Sequence, residues 1–371
     1  MSLNTEQFLL HALNATHVSP IETIQELWSG YGKIERYHVE GDTSPSRVIV
    51  KSIRPPEAVE QIAHPRGWNT SASHQRKLFS YQVESNWYQY WNSSCDTSVR
   101  VPECYGVMCG TDIFIAKKDE LTEQLNNDQH SVPFPQNEAS YINKQDHNEQ
   151  NSTILMSDLD SQGFAKRHQS LSLTQARICI QWLANFHATF MQDSPDSDWP
   201  KGLWPVGSYW HLNTREDEYQ NMPESALKQA AHHLDHLLNH TRFKTIIHGD
   251  AKVANFCFSE DDTDVAAVDF QYVGAGCGMR DLVYFIGSCL SDVECEQHHQ
   301  QLTKYYFSEL TTALLSKKIN INPIEVEREW TGLFVIAWAD FQRFILGWSP
   351  NHHKNNQFSR WVTKQAISDL K

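Results

Sequence analysis

The chain has 371 residues, 40% hydrophobic and 11% aromatic, enough for a large core and longer than most single domains, so two domains or two lobes around a cleft are expected. Its formal net charge of −14 at pH 7 comes with no Lys/Arg run of the kind that tracks a phosphate backbone, so no nucleic acid partner is expected; the acidity reads as a solubilising surface, the alternative being attraction of a cationic substrate. No positively charged leader precedes an apolar run and no stretch approaches the ~20 apolar residues that cross a bilayer, so a cytoplasmic chain with no membrane partner is expected.

Thr5 to Leu13 reads as a helix, followed by the segment Ile21 to Leu27. Leu27 to Gly32, Ile34 to Val39 and Arg47 to Ile53 are short stretches divided by glycine or by the turn-rich Gly41-Asp-Thr-Ser-Pro45, and they read as successive strands of an antiparallel sheet. In Gln75 to Trp91 the apolar positions Phe79, Val83, Trp87 and Trp91 recur every four residues, which fits an amphipathic helix. Val101 to Met108, Thr111 to Ala116 and Thr153 to Met156 read as extended. Between the last two, Lys117 to Ser152 is nearly all polar apart from a Val-Pro-Phe-Pro interruption. It reads as a partly disordered surface insertion, because it has too little apolar material to offset the entropy of ordering it.

From Leu173 onward the period becomes helical. Ile178, Trp182, Phe186 and Phe190 form one face, and Ala226 to His240 forms another helix with Leu227, Ala230, Leu234 and Leu238 inward. Asp281 to Leu290, Glu294 to Ser316 and Ile324 to Leu346 continue a mainly helical second lobe. No fixed-period repeat is present.

The stretch Thr245-Ile-Ile-His-Gly-Asp-Ala-Lys-Val-Ala-Asn-Phe-Cys-Phe258 has apolar flanks around a polar centre. It predicts a short strand, a loop holding His248, Gly249 and Asp250, and a second strand starting near Asn255. Val265-Ala-Ala-Val-Asp-Phe270 is a similar apolar strand that ends in a lone carboxylate, Asp269. Two carboxylates and an amide at strand or loop ends are what phosphoryl transfer from ATP requires: one Asp orients the acceptor hydroxyl and takes its proton, while an Asn and a second Asp hold the metal that bridges phosphate oxygens. Asp250 fits the first role, and Asn255 and Asp269 the second with Mg2+; His248 would brace the loop by a hydrogen bond.

The order HGDxxxxN, then a strand ending in Asp, resembles the aminoglycoside phosphotransferase and choline kinase group, which shares the protein-kinase-like architecture. SYQVESNWY at Ser80 to Tyr88, HGDAKVANF at His248 to Phe256 and DLVYF at Asp281 to Phe285 resemble the ecdysteroid kinase-like proteins more closely still. The resemblance spans nearly the whole chain. It implies an α+β, bilobal protein-kinase-like fold, with an antiparallel-sheet N-lobe over residues 1–159 and a helical C-lobe over 160–371 that carries the catalytic loop and the acceptor site. It also implies ATP and Mg2+ between the lobes, and a small-molecule hydroxylated substrate as phosphoryl acceptor. Lys51, at the end of Val48-Ile-Val-Lys51, matches the lysine that grips the ATP phosphates, and Glu84 its ion-pair partner. Thr153-Ile-Leu-Met-Ser-Asp-Leu159 resembles the hinge that receives adenine, which places Met156 and Asp158 at the nucleotide. Ser29-Gly-Tyr-Gly32 echoes a glycine-rich phosphate loop, which places Ser29 and Gly30 there too. Asp281 resembles the aspartate that supports the catalytic loop, and Gln271 stands where relatives often have a carboxylate. A pseudokinase or ligand-binding module is the alternative reading, although every matched position retains a side chain able to do its job.

His232, His236 and His240 fall on one helical face, but with no HExxH or cysteine beside them they read as a solvated face. The eight cysteines are scattered without a CxxC pair, so neither a disulfide framework nor a zinc site is expected. Trp330, Trp338, Trp348 and Trp361 read as helix packing or as the wall of an acceptor pocket. Within that cluster, Trp338, Asp340, Phe341 and Arg343 form a candidate acceptor set. Trp338 and Asp340 would hold a cationic head group, or Trp338 and Phe341 would make a slot for a neutral hydroxylated hydrophobe, with Arg343 paired to Asp340.

Overall fold

A computed structural model of the chain describes residues 4–27, 30–42, 44–55, 71–116 and 151–370. The chain divides into two compact units, Met1–Ser93 with Pro102–Gln162, and Ser94–Val101 with Gly163–Lys371. The divide after the sheet thus falls at Gln162 rather than at residue 159, and eight residues that precede it in the chain, Ser94–Val101, belong to the second unit.

The first unit is a six-stranded sheet in the order β1-β2-β3-β6-β4-β5, antiparallel at every pairing. Its strands are β1 (His17–Glu26), β2 (Gly32–Glu40), β3 (Arg47–Ile53), β4 (Cys104–Cys109), β5 (Asp112–Ile115) and β6 (Ser152–Ser157). Helix α1 (Thr5–Leu13) starts at a reciprocal cap between Asn4 and Gln7, which satisfies donors the first turn cannot pair. Its Phe8, Leu9 and Leu13 pack with Val18, Val39, Val48, Val50 and Leu155. Because side chains alternate along a strand, Val48 and Val50 facing that cluster puts Lys51 on the other face of β3, where helix α2 (Ser71–Asn86) presents Glu84. α2 runs on as a turn of π-helix over Trp87–Trp91, so the helical segment ends where the apolar spacing ends.

Of the expected strand at Leu27 to Gly32, residues 28 and 29 lie outside the described residues, Leu27 and Gly30 lie between β1 and β2, and Gly32 opens β2. Gly30 and Gly32 have φ of 72° and 137°, and the Leu27 N–H donates to the Gly32 carbonyl at 2.8 Å. A Cβ at Gly32 would lie 1.9 Å from the Ser52 carbonyl oxygen, so glycine at the start of β2 serves the close approach to β3. The insertion read at Lys117 to Ser152 lies outside the described residues from 117 to 150, while Ser152 is the first residue of β6.

The second unit is mainly helical: α3 (Leu173–Thr189), α4 (Glu216–Asn221), α5 (Ala226–Asn239), α6 (Met279–Cys289), α7 (Asp292–Ser316), α8 (Pro323–Thr331), α9 (Leu333–Trp348) and α10 (Gln357–Asp369). The expected class, α+β with an antiparallel-sheet region followed by a helical one, is therefore what the structure has. Ser172 with Gln175 and Ser291 with Glu294 cap α3 and α7 reciprocally. The single helix expected from Ile324 to Leu346 is two, broken at Gly332. On α5 the buried alanine is Ala231 rather than Ala230. β7 (Gln192–Asp193), β8 (Phe243–Ile247) and β11 (Gly274–Gly276) form a small sheet, and β9 (Phe256–Phe258) pairs with β10 (Val265–Ala267).

Candidate active site

The polar interruption between β8 and β9 forms a loop inside the second unit, and its shape is set by Asp281 at the start of α6. The Asp281 carboxylate accepts the backbone N–H of His248 at 2.6 Å and of Gly249 at 2.9 Å. It also meets Nε2 of His187, at 3.1 Å, whose Nδ1 lies 2.7 Å from the Tyr306 hydroxyl. Both His187 and Asp281 are fully buried, so the loop is anchored by charge-assisted hydrogen bonds away from water. Gly249 sits at φ 76°, and a Cβ there would lie 2.1 Å from the Tyr272 carbonyl oxygen.

His248 donates from Nε2 to the Val268 carbonyl at 3.0 Å and accepts the Asp250 N–H on Nδ1 at 3.3 Å. With one ring nitrogen donating and the other accepting, it is a neutral brace between the loop and the end of β10. Asn255 donates from its side-chain amide to the Asp250 carbonyl at 2.8 Å and to the Asp250 carboxylate at 3.2 Å, and its own carbonyl accepts the Val268 N–H at 3.0 Å. Asp269 follows at φ 70°. His248, Asp250, Asn255 and Asp269 thus lie in one site.

Burial raises the Asp250 carboxyl above the usual range, and the nearby Asp269 charge adds to this, opposed by Lys252. Lys252 donates to Asp250 at 2.7 Å. Burial alone would lower its ammonium pKa, but Asp250 and Asp269 hold it above the ordinary value. Tyr284, buried, and Tyr209, partly buried, lie beside this cluster, and desolvation together with the Asp250 charge keeps both phenols protonated.

In the first unit, Lys51 and Glu84 are 3% and 2% exposed and meet at 2.5 Å, so each is committed to the other in a dry setting. Met156 is buried in β6. Asp158, just beyond it, accepts from Arg36 Nε at 2.9 Å and Ser161 at 2.7 Å, so its carboxylate ties the end of β6 to β2. Gly30 lies between β1 and β2, and Ser29 lies outside the described residues.

The candidate acceptor residues on α9 do not form one group. The Asp340 carboxylate accepts from Arg343 at 2.9 Å and from the Trp210 indole N–H at 3.2 Å, and Arg343 donates to the Trp210 carbonyl at 2.9 Å. Asp340 is fully buried, so its charge is used inside the protein and is not presented to a cation. Phe341 packs edge-on to Trp210 and Tyr284, at 5.1 Å from each. Trp338 faces elsewhere, toward Phe358 and a hydrogen bond with Ser359 at 3.0 Å. Trp330 is buried core, and Trp361 is 47% exposed.

Lys252 and Tyr284 are residues beside this cluster that the sequence reading missed; both lay inside quoted motifs, HGDAKVANF and DLVYF, and so offered a signal.

Among the described residues no group of three His, Cys, Asp or Glu side chains could hold a metal by itself. Asn255 and Asp269 nevertheless suit a cation that takes the rest of its shell from phosphate oxygens: the Asn255 amide nitrogen is spent on Asp250, which leaves its amide oxygen as a hard ligand. All eight cysteines are free thiols, His232, His236 and His240 are exposed, and no described helix is long and apolar enough to cross a membrane.

Residues 207–319 match the model of the ecdysteroid kinase-like family. No curated protein matches the chain. Among solved structures, an aminopropanol kinase associated with a microcompartment is 13% identical over 97% of this chain and 91% of its own, with a TM-score of 0.46. A choline kinase from Cryptosporidium parvum is 11% identical over 96% and 91%, with a TM-score of 0.45. An amicoumacin kinase in complex with AMP-PNP and Ca2+ is 10% identical over 99% and 93%, with a TM-score of 0.43.

Proposed function

We infer that the chain is an ATP-dependent small-molecule kinase that transfers the γ-phosphoryl group to the hydroxyl of a small metabolite. The observation that carries this is the loop from His248 to Asn255: a buried carboxylate of raised proton affinity, a cation 2.7 Å from it, and an amide turned so that its oxygen remains for a metal. The match of residues 207–319 to the ecdysteroid kinase-like model covers all of these groups, and the kinase names of the similar solved structures agree with it.

Asp250 takes the acceptor's proton as its oxygen attacks the γ-phosphorus and the bond to the bridging oxygen breaks; its raised pKa makes it a better base than an exposed aspartate. Lys252 offsets charge on the transferred group from beside Asp250. Lys51, positioned by Glu84, supplies a point charge against the nucleotide phosphates. Mg2+, held by Asn255 and Asp269, would neutralise charge developing on the phosphate oxygens. His248 and Asp281 do not touch the reacting atoms; they hold the loop in shape.

Asp250→Asn is expected to lower turnover by about 10²–10⁴-fold, the usual worth of a positioned general base, while nucleotide affinity is retained. The measurement is transfer of labelled phosphate to a defined acceptor, since slow hydrolysis can use water. Turnover within a few fold of the parent would remove Asp250 from the role of base. A ligand-binding module without activity would bind MgATP and transfer nothing in the parent as well.

A further inference from the structure

The loop between α9 and α10 brings a second lysine to the site, Lys354. Its loop is pinned on either side: the Lys354 N–H donates to His352 Nδ1 at 3.1 Å, and the Asn355 side chain donates to the Pro350 carbonyl and accepts from the Gln342 amide, at 2.8 Å each. The ammonium lies 4.5 Å from the centre of the Tyr284 ring and 5.3 Å from that of Phe341. Tyr284 is the residue already placed against Asp250, so Lys354 faces the place where an acceptor hydroxyl must come.

Among the described residues no carboxylate lies within ion-pair distance of Lys354. The charged groups that act on it are Asp250 and Lys252, and the two thiols nearby, Cys289 and Cys295, are held neutral by burial. Asp250 is the sole carboxylate in that set, and it is already matched by Lys252 at 2.7 Å and Asn255 at 3.2 Å. Burial accordingly pulls the Lys354 ammonium down to about 8. A cation held against two aromatic faces without a counter-charge is costly to the fold, and such groups cluster where a ligand supplies what is missing. The one carboxylate that could have welcomed a cationic head group from α9, Asp340, is turned inward onto Arg343.

We propose that Lys354 is the acceptor-recognition cation of this site, so that the acceptor is an alcohol carrying an anionic oxygen group, held on the Lys354 ammonium with its body along Tyr284 and Phe341. This rests on the reading of Asp250 as the acceptor's base, and it names the acceptor's charge.

The test uses the full chain and a panel of primary and ring alcohols, each present as carboxylate, phosphate monoester, methyl ester and amine. Binding is read by thermal shift and transfer by labelled ATP. The expected result is that an anionic member binds and is phosphorylated with kcat/KM at least ten times that of its ester, and that amines are worst. Lys354→Met should raise KM for the anionic member about tenfold with kcat within threefold, leave the ester unchanged, and be largely rescued by Lys354→Arg. The carboxylate and phosphate members separate the two sources of the charge. Equal handling of anion and ester, preference for an amine, or no anion bound at all would overturn the proposal, as would a Lys354→Met variant that treats the anion as the parent does. Transfer to neutral or cationic alcohols alone would leave the kinase reading standing without it. Lys354-dependent binding of an anion with no transfer from ATP would do the reverse.

Discussion

Asp281 uses both carboxylate oxygens on the His248–Gly249 backbone and His187, in a place with no access to water. Asp281→Ala would strand three buried donors, and a cost on the order of 3–5 kcal/mol in unfolding free energy is expected, with a smaller loss for Asp281→Asn, which keeps one acceptor oxygen. Urea denaturation measures it; a loss within about 0.5 kcal/mol would mean that water or another group replaces the carboxylate. Lys354 makes the opposite contribution. Its folded pKa of about 8 lies below the 10.5 of a free lysine, so below pH 8 the unfolded chain keeps a charge that the fold disfavours, and this penalty is relieved as pH rises from about 8 to 10.5. Lys354→Met is therefore expected to stabilise the protein at pH 7, by up to about 3 kcal/mol before allowance for the half-buried side chain, with the gain fading toward pH 10.5. A thermal melt series across pH checks it, and a variant less stable than the parent at pH 7 would show that the aromatic contacts of the ammonium outweigh its desolvation. The two residues also differ in how legible they were. Asp281 opens a motif, DLVYF, and was read from it. A lone lysine in a loop has the same sequence appearance whether its ammonium is solvated or packed on two rings.

At the level of elements, periodicity located what it depends on and missed what turns decide. α1 and β3 have their expected bounds, with Lys51 inside β3, because an apolar face fixes both the period and the register. β1 was only partly legible, since eight of its ten residues are exposed and Pro20 stands within it; it is an edge strand with bulges, where neither alternation nor proline is penalised. The positive φ of Gly30 and Gly32 was not legible, because composition does not show the sign of φ. Gly249 is the case where this matters to chemistry. Gly249→Ala is expected to cost several kcal/mol, or to displace the loop, because both its φ of 76° and the 2.1 Å approach of a Cβ to the Tyr272 carbonyl oppose a side chain. The check is activity and stability together: a variant that keeps both within twofold and about 0.5 kcal/mol would show that the Tyr272 segment yields freely.

The whole chain splits its legibility between its two units. Residues 207–319, the span that matches a family model, hold Asp250, Lys252, Asn255, Asp269 and Asp281, so the proposed chemistry of the second unit is concentrated in one continuous stretch. In the first unit the proposed chemistry rests on a buried pair, Lys51 with Glu84, 33 positions apart in sequence and expected from the family resemblance. Lys51 and the pair Asn255 and Asp269 are each proposed to meet MgATP, so each loss should reduce the same observable. At 100 times its dissociation constant, a ligand that binds only the folded state stabilises it by about 2.7 kcal/mol, which for units of this size raises the melting temperature by roughly 5–10 °C. The full shift is expected with ATP and Mg2+ together. Chelation with EDTA should reduce it to what nucleotide alone gives, because Asn255 and Asp269 then meet phosphate oxygens without a cation to reconcile them. Lys51→Ala should reduce it with Mg2+ present, and Asp269→Ala should make the remaining shift insensitive to EDTA. A parent shift that EDTA leaves untouched would contradict the assignment of Asn255 and Asp269 to a metal. An undiminished shift in Lys51→Ala would detach the first unit's ion pair from the nucleotide.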